Sequence, residues 1–218
     1  MANAKLITLT EPRSAAAEAF RSLRTNLMFM SVEHPVSTIL LTSVMDGEDK
    51  SIVTANLGIA FAQAGNSTII VDADLRRPHQ HDIWGLNNER GFTTLLTPEG
   101  SLASPPLQQT SIPNLSVLTS GPLPAVPADL LSNQRLTEVI GILKARAHYI
   151  LFDSPPALAA TDAALLGLRT DGALLVVRAG NTRRDHTQRA HQALERVHVR
   201  LLGVVLTNAP RESTGVYT

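Results

Sequence analysis

Residues 39–52, ILLTSVMDGEDKSI, read as a buried strand, a loop and the first turn of a helix. Ile39, Leu40 and Leu41 supply the strand's apolar run, and the helix begins near Lys50. A Lys-Ser pair at such a junction suits a loop that holds a nucleotide's phosphates. Backbone N–H groups cradle the phosphates, the Lys neutralises them, and the hydroxyl reaches Mg²⁺. Against the pattern G-x-x-x-x-G-K-[ST], two positions depart. Val44 stands at the first Gly, and Asp49 stands where a Gly precedes the Lys. The loop alone is a weak match, and the strands around it decide the fold.

Downstream, the helix runs from about Lys50 to Ala64, with Ile52, Val53, Leu57, Ala60 and Phe61 as its apolar face and Gly65-Asn66 as its stop. Residues 67–71, STIIV, form a second strand that ends on Asp72 and Asp74. Further apolar runs at 115–118, 148–152, 172–178 and 200–206 predict four more strands, ending respectively at Leu118, Asp153, Arg178 and Asn208. Helices are expected at 79–85, 92–97, 161–168 and 183–197. A Pro-rich loop, 120–133, leads into another helix that reaches about Ala147 in one or two pieces, with Pro127 suited to its first turn.

Upstream, residues 1–12 read as an extended arm. Residues 14–30 read as a helix striped by Ala17, Phe20, Leu23, Leu27 and Met30.

Short apolar strands alternating with helices predict an α/β fold: a three-layer, doubly wound, mainly parallel sheet of the P-loop NTPase type. The expected organisation is one domain over 1–208 and a flexible tail over 209–218. Open sheets of this kind bind ligands beyond the strands' C-terminal ends. That edge collects Lys50, Ser51, Asp72, Asp74, Asp153, Arg178 and Asn208.

Composition bounds the function. The 218 residues carry 19 basic and 19 acidic side chains, so net charge gives no case for nucleic acid as a partner. There is no Cys, which excludes disulfides and thiolate metal sites and is compatible with a cytoplasmic location. No apolar run approaches the ~18–20 residues of a transmembrane helix. The seven His residues show no metal-binding spacing; His79 and His81 are expected to be exposed.

The converging carboxylates suit phosphoryl transfer, which depends on positioning and charge neutralisation more than on covalent chemistry. Mg²⁺ takes oxygen ligands. Ser51 and Asp153 are the expected Mg²⁺ partners, with Asp72 and Asp74 as a candidate base and a second metal-side carboxylate. The plainer alternative makes Asp72 and Asp74 caps of the following helix. Glu18, Arg21 and Arg24, three residues apart, form either a solvated helix face with internal ion pairs or a latch onto a neighbouring subunit.

Several motifs together resemble the cytoplasmic kinase domain of bacterial tyrosine kinases, a deviant-Walker group related to the MinD and ParA ATPases. Glu18-Ala-Phe-Arg21-Ser-Leu-Arg24-Thr-Asn is similar to that family's oligomerisation motif. VDADLRRP (71–78), SGPLPAVPADLL (120–131), ILFDSPP (150–156) with Thr161-Asp162-Ala163, VVRAGNTRR (176–184) and GVVLTN (203–208) follow in the family's order. The resemblance spans about Glu11 to Asn208. It implies an ATP- and Mg²⁺-dependent protein-tyrosine autokinase of capsular or exopolysaccharide synthesis and export.

By that resemblance Gly47, Glu48, Asp49, Lys50, Ser51 and Ile52 surround the phosphates, and Asn208 lies near the adenine. Ser51, Asp72 and Asp153 serve Mg²⁺; Lys50, Asp72 and Asp74 are catalytic. The implied partners are further copies in a ring and a membrane-embedded activator that recruits the domain to the inner face of the cell membrane. Alternatives are a non-catalytic, ring-forming regulatory module or a MinD/ParA-like ATPase.

The sequence departs from the family twice. Its tail offers Tyr217 alone as a phosphoacceptor, since Tyr149 falls in an apolar strand. Asp49 places both a Cβ and a negative charge against the phosphates. Like charges ~4 Å apart repel by roughly 4 kcal/mol at an effective dielectric of 20, which predicts weakened ATP binding.

Overall fold

The computed structural model of the chain describes residues 6–30 and 35–209. Seven strands form one sheet in the order β3-β4-β2-β5-β1-β6-β7. They are β1 (Thr38–Ser43), β2 (Thr68–Asp72), β3 (Gln108–Gln109), β4 (Leu115–Leu118), β5 (Tyr149–Asp153), β6 (Gly172–Arg178) and β7 (Leu201–Thr207). All neighbouring pairs are parallel except β3 with β4. The six expected strands are present. β3 is an addition from the polar loop, where Gln108 and Gln109 carry no apolar signal.

The helices are α1 (Ile7–Thr10), α2 (Ala15–Met30), α3 (Lys50–Gln63), α4 (Gln80–Trp84), α5 (Phe92–Leu96), α6 (Pro127–Ser132), α7 (Arg135–Lys144), α8 (Asp162–Gly167) and α9 (Arg184–Arg196). Two apolar cores cover the two faces of the sheet. On one side Leu27 of α2 and Val53, Leu57 and Phe61 of α3 pack against Ile39, Leu41 and Leu151. On the other, Phe92, Leu95, Leu131, Leu136 and Leu166 pack against Leu40, Ile69 and Phe152. This alternation along each strand produces the expected three layers.

Local chemistry explains the element ends. Gly65, at φ +84°, carries the chain out of α3 in the left-handed region. The Asp171 carboxylate accepts the Ser37 and Thr38 amides at 2.8 and 2.7 Å, which pins the start of β1 beside β6. Those bonds hold the Asp171 carboxyl below its usual range although burial works against its charge.

One expectation is corrected. Residues 7–10 are a helical turn and not an extended arm. Thr8 is fully buried, and its amide donates to Asn56 Oδ1 at 3.0 Å, anchoring the turn on α3. Only residues 6–12 of the proposed arm are described, and the tail proposed for 209–218, with Tyr217, lies outside the described residues after Ala209. Tyr149 is half-buried, its ring stacked on Phe61 with centroids 4.0 Å apart.

Candidate nucleotide site

The strand order places the site. β5 lies between β1 and β2, so the chain leaving β1 passes directly beside the ends of both. In register, Asp72 is opposite Asp153, and Leu41 of β1 is opposite Asp153 on the other side. The loop after β1 turns over this acidic edge and enters α3 at Lys50.

A cleft of about 400 Å³ opens above that edge. Gly47, Glu48, Asp49, Lys50, Ser51 and Ile52 line it, with Asp74, Arg77 and His79 on the facing wall. Six of the seven residues expected around a nucleotide are thereby brought together. Asn208 is not among the lining residues; its side-chain amide donates to the Ala179 carbonyl at 3.2 Å beyond β7. Asp72 and Asp153 are fully buried and lie below the cleft floor.

Lys50 is nearly buried and reaches down. Its Nζ donates to Asp74 Oδ2 at 2.7 Å and lies 3.6 Å from Asp153 Oδ1. Burial opposes its charge, but Asp153 and Asp74 outweigh burial and hold its pKa above the ordinary lysine value. Burial and the Asp153 carboxylate push the Asp72 carboxyl well above its usual range, against the opposing pull of the Gln80 amide and Lys50. Asp72 Oδ2 accepts the His79 and Gln80 amides at 3.0 and 2.8 Å, and Asp74 Oδ1 accepts those of Arg76 and Arg77 at 3.2 and 2.9 Å. The capping alternative is therefore partly realised: both carboxylates order the chain leading into α4, and each keeps its second oxygen for the site.

Two oxygens at this edge bear on metal binding. Asp72 Oδ1 and Asp153 Oδ1 are buried and have no hydrogen-bond partner. Unsatisfied buried carboxylate oxygens are costly unless something fills the gap. Three carboxylates surround one lysine, so the edge holds an excess of negative charge and hard oxygen donors. That donor set fits Mg²⁺.

Two roles at the site carry no sequence signal: that of Gln80, and the bracing role of Glu48, a residue expected only to lie around the phosphates. Gln80, fully buried, donates from Nε2 to the Ser51 carbonyl at 3.0 Å and to Asp153 Oδ2 at 2.8 Å, and its Oε1 accepts Trp84 Nε1 at 3.0 Å. It thus ties α3, β5 and α4 together. Glu48, 2% exposed, accepts the Val44 and Met45 amides at 2.6 and 3.2 Å through Oε2, and the Thr182 hydroxyl through Oε1. Glu48 is therefore a brace for the loop's first half. Of the two His expected to be exposed, His79 is, whereas His81 is half-buried with Nδ1 enclosed.

Asp49 adopts φ 62°, ψ 21°, the left-handed geometry a Gly takes readily. Asp tolerates this region better than most residues. Its carboxylate does not stand free: Oδ2 accepts Arg178 Nη1 at 2.5 Å.

Glu18 and Arg21 form an i,i+3 ion pair at 2.6 Å on exposed α2, while Arg24 turns inward and donates to the Ala60 carbonyl of α3 at 3.3 Å.

Comparison with known proteins agrees with this geometry. The ParA family profile, described as NUBPL iron-transfer P-loop NTPase, matches residues 34–209. The tyrosine-protein kinase YwqD of Bacillus subtilis is 38% identical over 201 residues, covering 92% of this chain and 84% of YwqD. The chain belongs to the bacterial tyrosine-kinase family. Among solved structures, the chimerical protein CapA2B2 superposes with a TM-score of 0.90 at 36% identity, covering 95% of this chain and 91% of that one. The kinase domain of the Escherichia coli tyrosine kinase ETK also gives 0.90, at 28% identity, covering 98% and 83%. In this bacterial tyrosine kinase, as expected from its motifs, the fold is the P-loop NTPase fold. No helix among the described residues is long and apolar enough to cross a membrane.

Proposed function

We propose that this domain transfers the γ-phosphoryl group of Mg·ATP to tyrosine, on itself or on neighbouring copies, and that the cycle regulates capsular or exopolysaccharide synthesis and export. The observation that carries this reading is Lys50. It sits at the head of α3, in a cleft of about 400 Å³, beside two carboxylates with unsatisfied buried oxygens.

The chain's residues divide the work. The amides of the 47–52 loop and the start of α3 would bind the phosphates, where the helix dipole also favours an anion. Lys50 neutralises the transferring group. Ser51, Asp72 and Asp153 would hold Mg²⁺, which supplies charge stabilisation on the phosphate oxygens. Of the three strand-end carboxylates only Asp74 lines the cleft, so it would accept the tyrosine hydroxyl's proton once its Oδ2 is released from Lys50. As the tyrosine oxygen bonds to the γ-phosphorus, the bond from that phosphorus to the β,γ-bridging oxygen breaks and ADP leaves. Asp72 acts from below by orienting the site.

In this reading Tyr217 is the acceptor on the chain. Glu18 and Arg21 on the exposed face of α2 meet a neighbouring copy in a ring, with Arg24 holding α2 against α3 behind them, and a membrane-embedded activator recruits the domain to the inner face of the membrane. Asn208 would contact the base. Incubation with labelled ATP and Mg²⁺ tests the proposal: phosphotyrosine should form, and Asp74→Asn and Lys50→Met should abolish it. Absence of label from the unaltered protein overturns it.

A second reading is a non-catalytic regulatory module, favoured by Asp49 in the phosphate loop. It predicts ring assembly without label transfer.

A further inference from the structure

Asp49 is the one acidic side chain placed where the loop must approach phosphate most closely, and the structure gives it a counter-charge from outside the cleft. Arg178 ends β6 and lines the neighbouring groove between β7 and α9, not the cleft itself. From there its Nη1 reaches Asp49 Oδ2 at 2.5 Å and approaches the Gly47 carbonyl at 3.4 Å. The arginine's own backbone is fixed, because its amide donates to Thr182 Oγ1 at 3.2 Å. The same Thr182 hydroxyl donates to Glu48. One turn, 178–182, therefore grips the loop at two successive residues.

The backbone at Asp49 already has the left-handed conformation of a glycine, so the side chain is what distinguishes this loop from an ordinary phosphate loop. A carboxylate directed into the cleft would repel phosphate. A carboxylate held on an arginine outside it is displaced from the phosphate path and neutralised.

We propose that Arg178 is a positioning residue for nucleotide binding: by holding the Asp49 carboxylate on the outer wall, it lets a loop with Asp in place of Gly accept a polyphosphate. The proposal rests on reading the cleft as a nucleotide site. Arg178 acts through Asp49 and makes no contact with the nucleotide.

A double-mutant cycle tests it. Mg·ADP affinity is measured by calorimetry on the unaltered protein, Arg178→Gln, Asp49→Gly and the double variant, with melting temperatures as a folding control. Arg178→Gln should weaken binding tenfold or more when Asp49 is present, and less than about threefold in the Asp49→Gly background. Arg178→Lys, which keeps the charge, should recover part of the loss. A merely structural role would weaken both backgrounds alike.

Equal effects in both backgrounds, or no effect in either, overturn the proposal while leaving the nucleotide site intact. Binding by Asp49→Gly but not by the unaltered protein also overturns it, since Arg178 would then fail to relieve the loop. Absence of binding in all four proteins overturns the nucleotide reading, and this proposal with it.

Discussion

Asp72 and Asp153 are register partners at the ends of adjacent strands, and each leaves one buried carboxylate oxygen without a hydrogen bond. Two like charges side by side in a fully buried position oppose folding, so this pair marks a site held at the expense of stability.

Replacing Asp72 with Asn removes one of the two charges at constant shape. The melting temperature of the nucleotide-free, metal-free protein should therefore rise, by about 2–4 °C for each kcal/mol of repulsion relieved. Mg²⁺-dependent nucleotide binding should fall at least tenfold. Differential scanning calorimetry and titration calorimetry on one preparation check both halves.

Gln80 satisfies a buried carbonyl, a buried carboxylate and the Trp84 indole at once. Gln80→Ala leaves all three without that partner and should cost about 2–3 kcal/mol of stability, since each unmet buried group is penalised. Trp84 is the protein's single tryptophan, so its fluorescence should shift in the native state as well as report the earlier urea midpoint.

Asp171 gives the protein's acid response a defined sign. Its carboxyl lies below the ordinary value of 3.8 in the folded state. The unfolded state therefore binds more protons as pH falls, and the stability from Asp171 is full above 3.8 and lost as pH drops through the folded pKa. Asp171→Asn should destabilise the protein by about 1 kcal/mol near neutral pH. The gap between the two proteins should close on acidification, as urea unfolding at a series of pH values would show.

The two arginines of α2 should separate. Arg21 pairs with exposed Glu18, so Arg21→Ala should leave the melting temperature within about 1 °C, since such surface pairs contribute little. If the ring assignment holds, it should nevertheless reduce the native mass seen by light scattering. Arg24 is bonded to the α3 backbone, so Arg24→Ala should lower both. An unchanged mass in both variants removes α2 from the interface.

The residues that announced themselves in sequence did so through local context. An apolar strand ending on Asp72 or Asp153, or a Lys-Ser pair opening a helix, is visible within a dozen residues, and the six parallel strands followed from the same kind of pattern. The contacts that escaped notice act across the fold. Gln80 stands between two histidines with nothing to mark it as buried. Thr182 meets Glu48 across 134 positions, and Arg178 meets Asp49 across 129. Asp49 was legible as an offending charge, but its remedy was not, because the pairing exists only once β6 lies beside β1. The turn at 7–10 was missed for a similar reason: its anchor is Asn56, on a helix formed later in the chain.

The Lys50–Asp74 contact changes what binding means at this site. An arriving phosphate finds the loop's cation already occupied, so it must displace a carboxylate to be received. That carboxylate, and those beneath it, are then left facing an emptier positive field and call for a divalent ion. On the nucleotide reading, the site would act as an exchanger that takes up an anion and a cation in one transaction. Nucleotide alone and metal alone should each be poor ligands, and each should raise the other's affinity by the same factor.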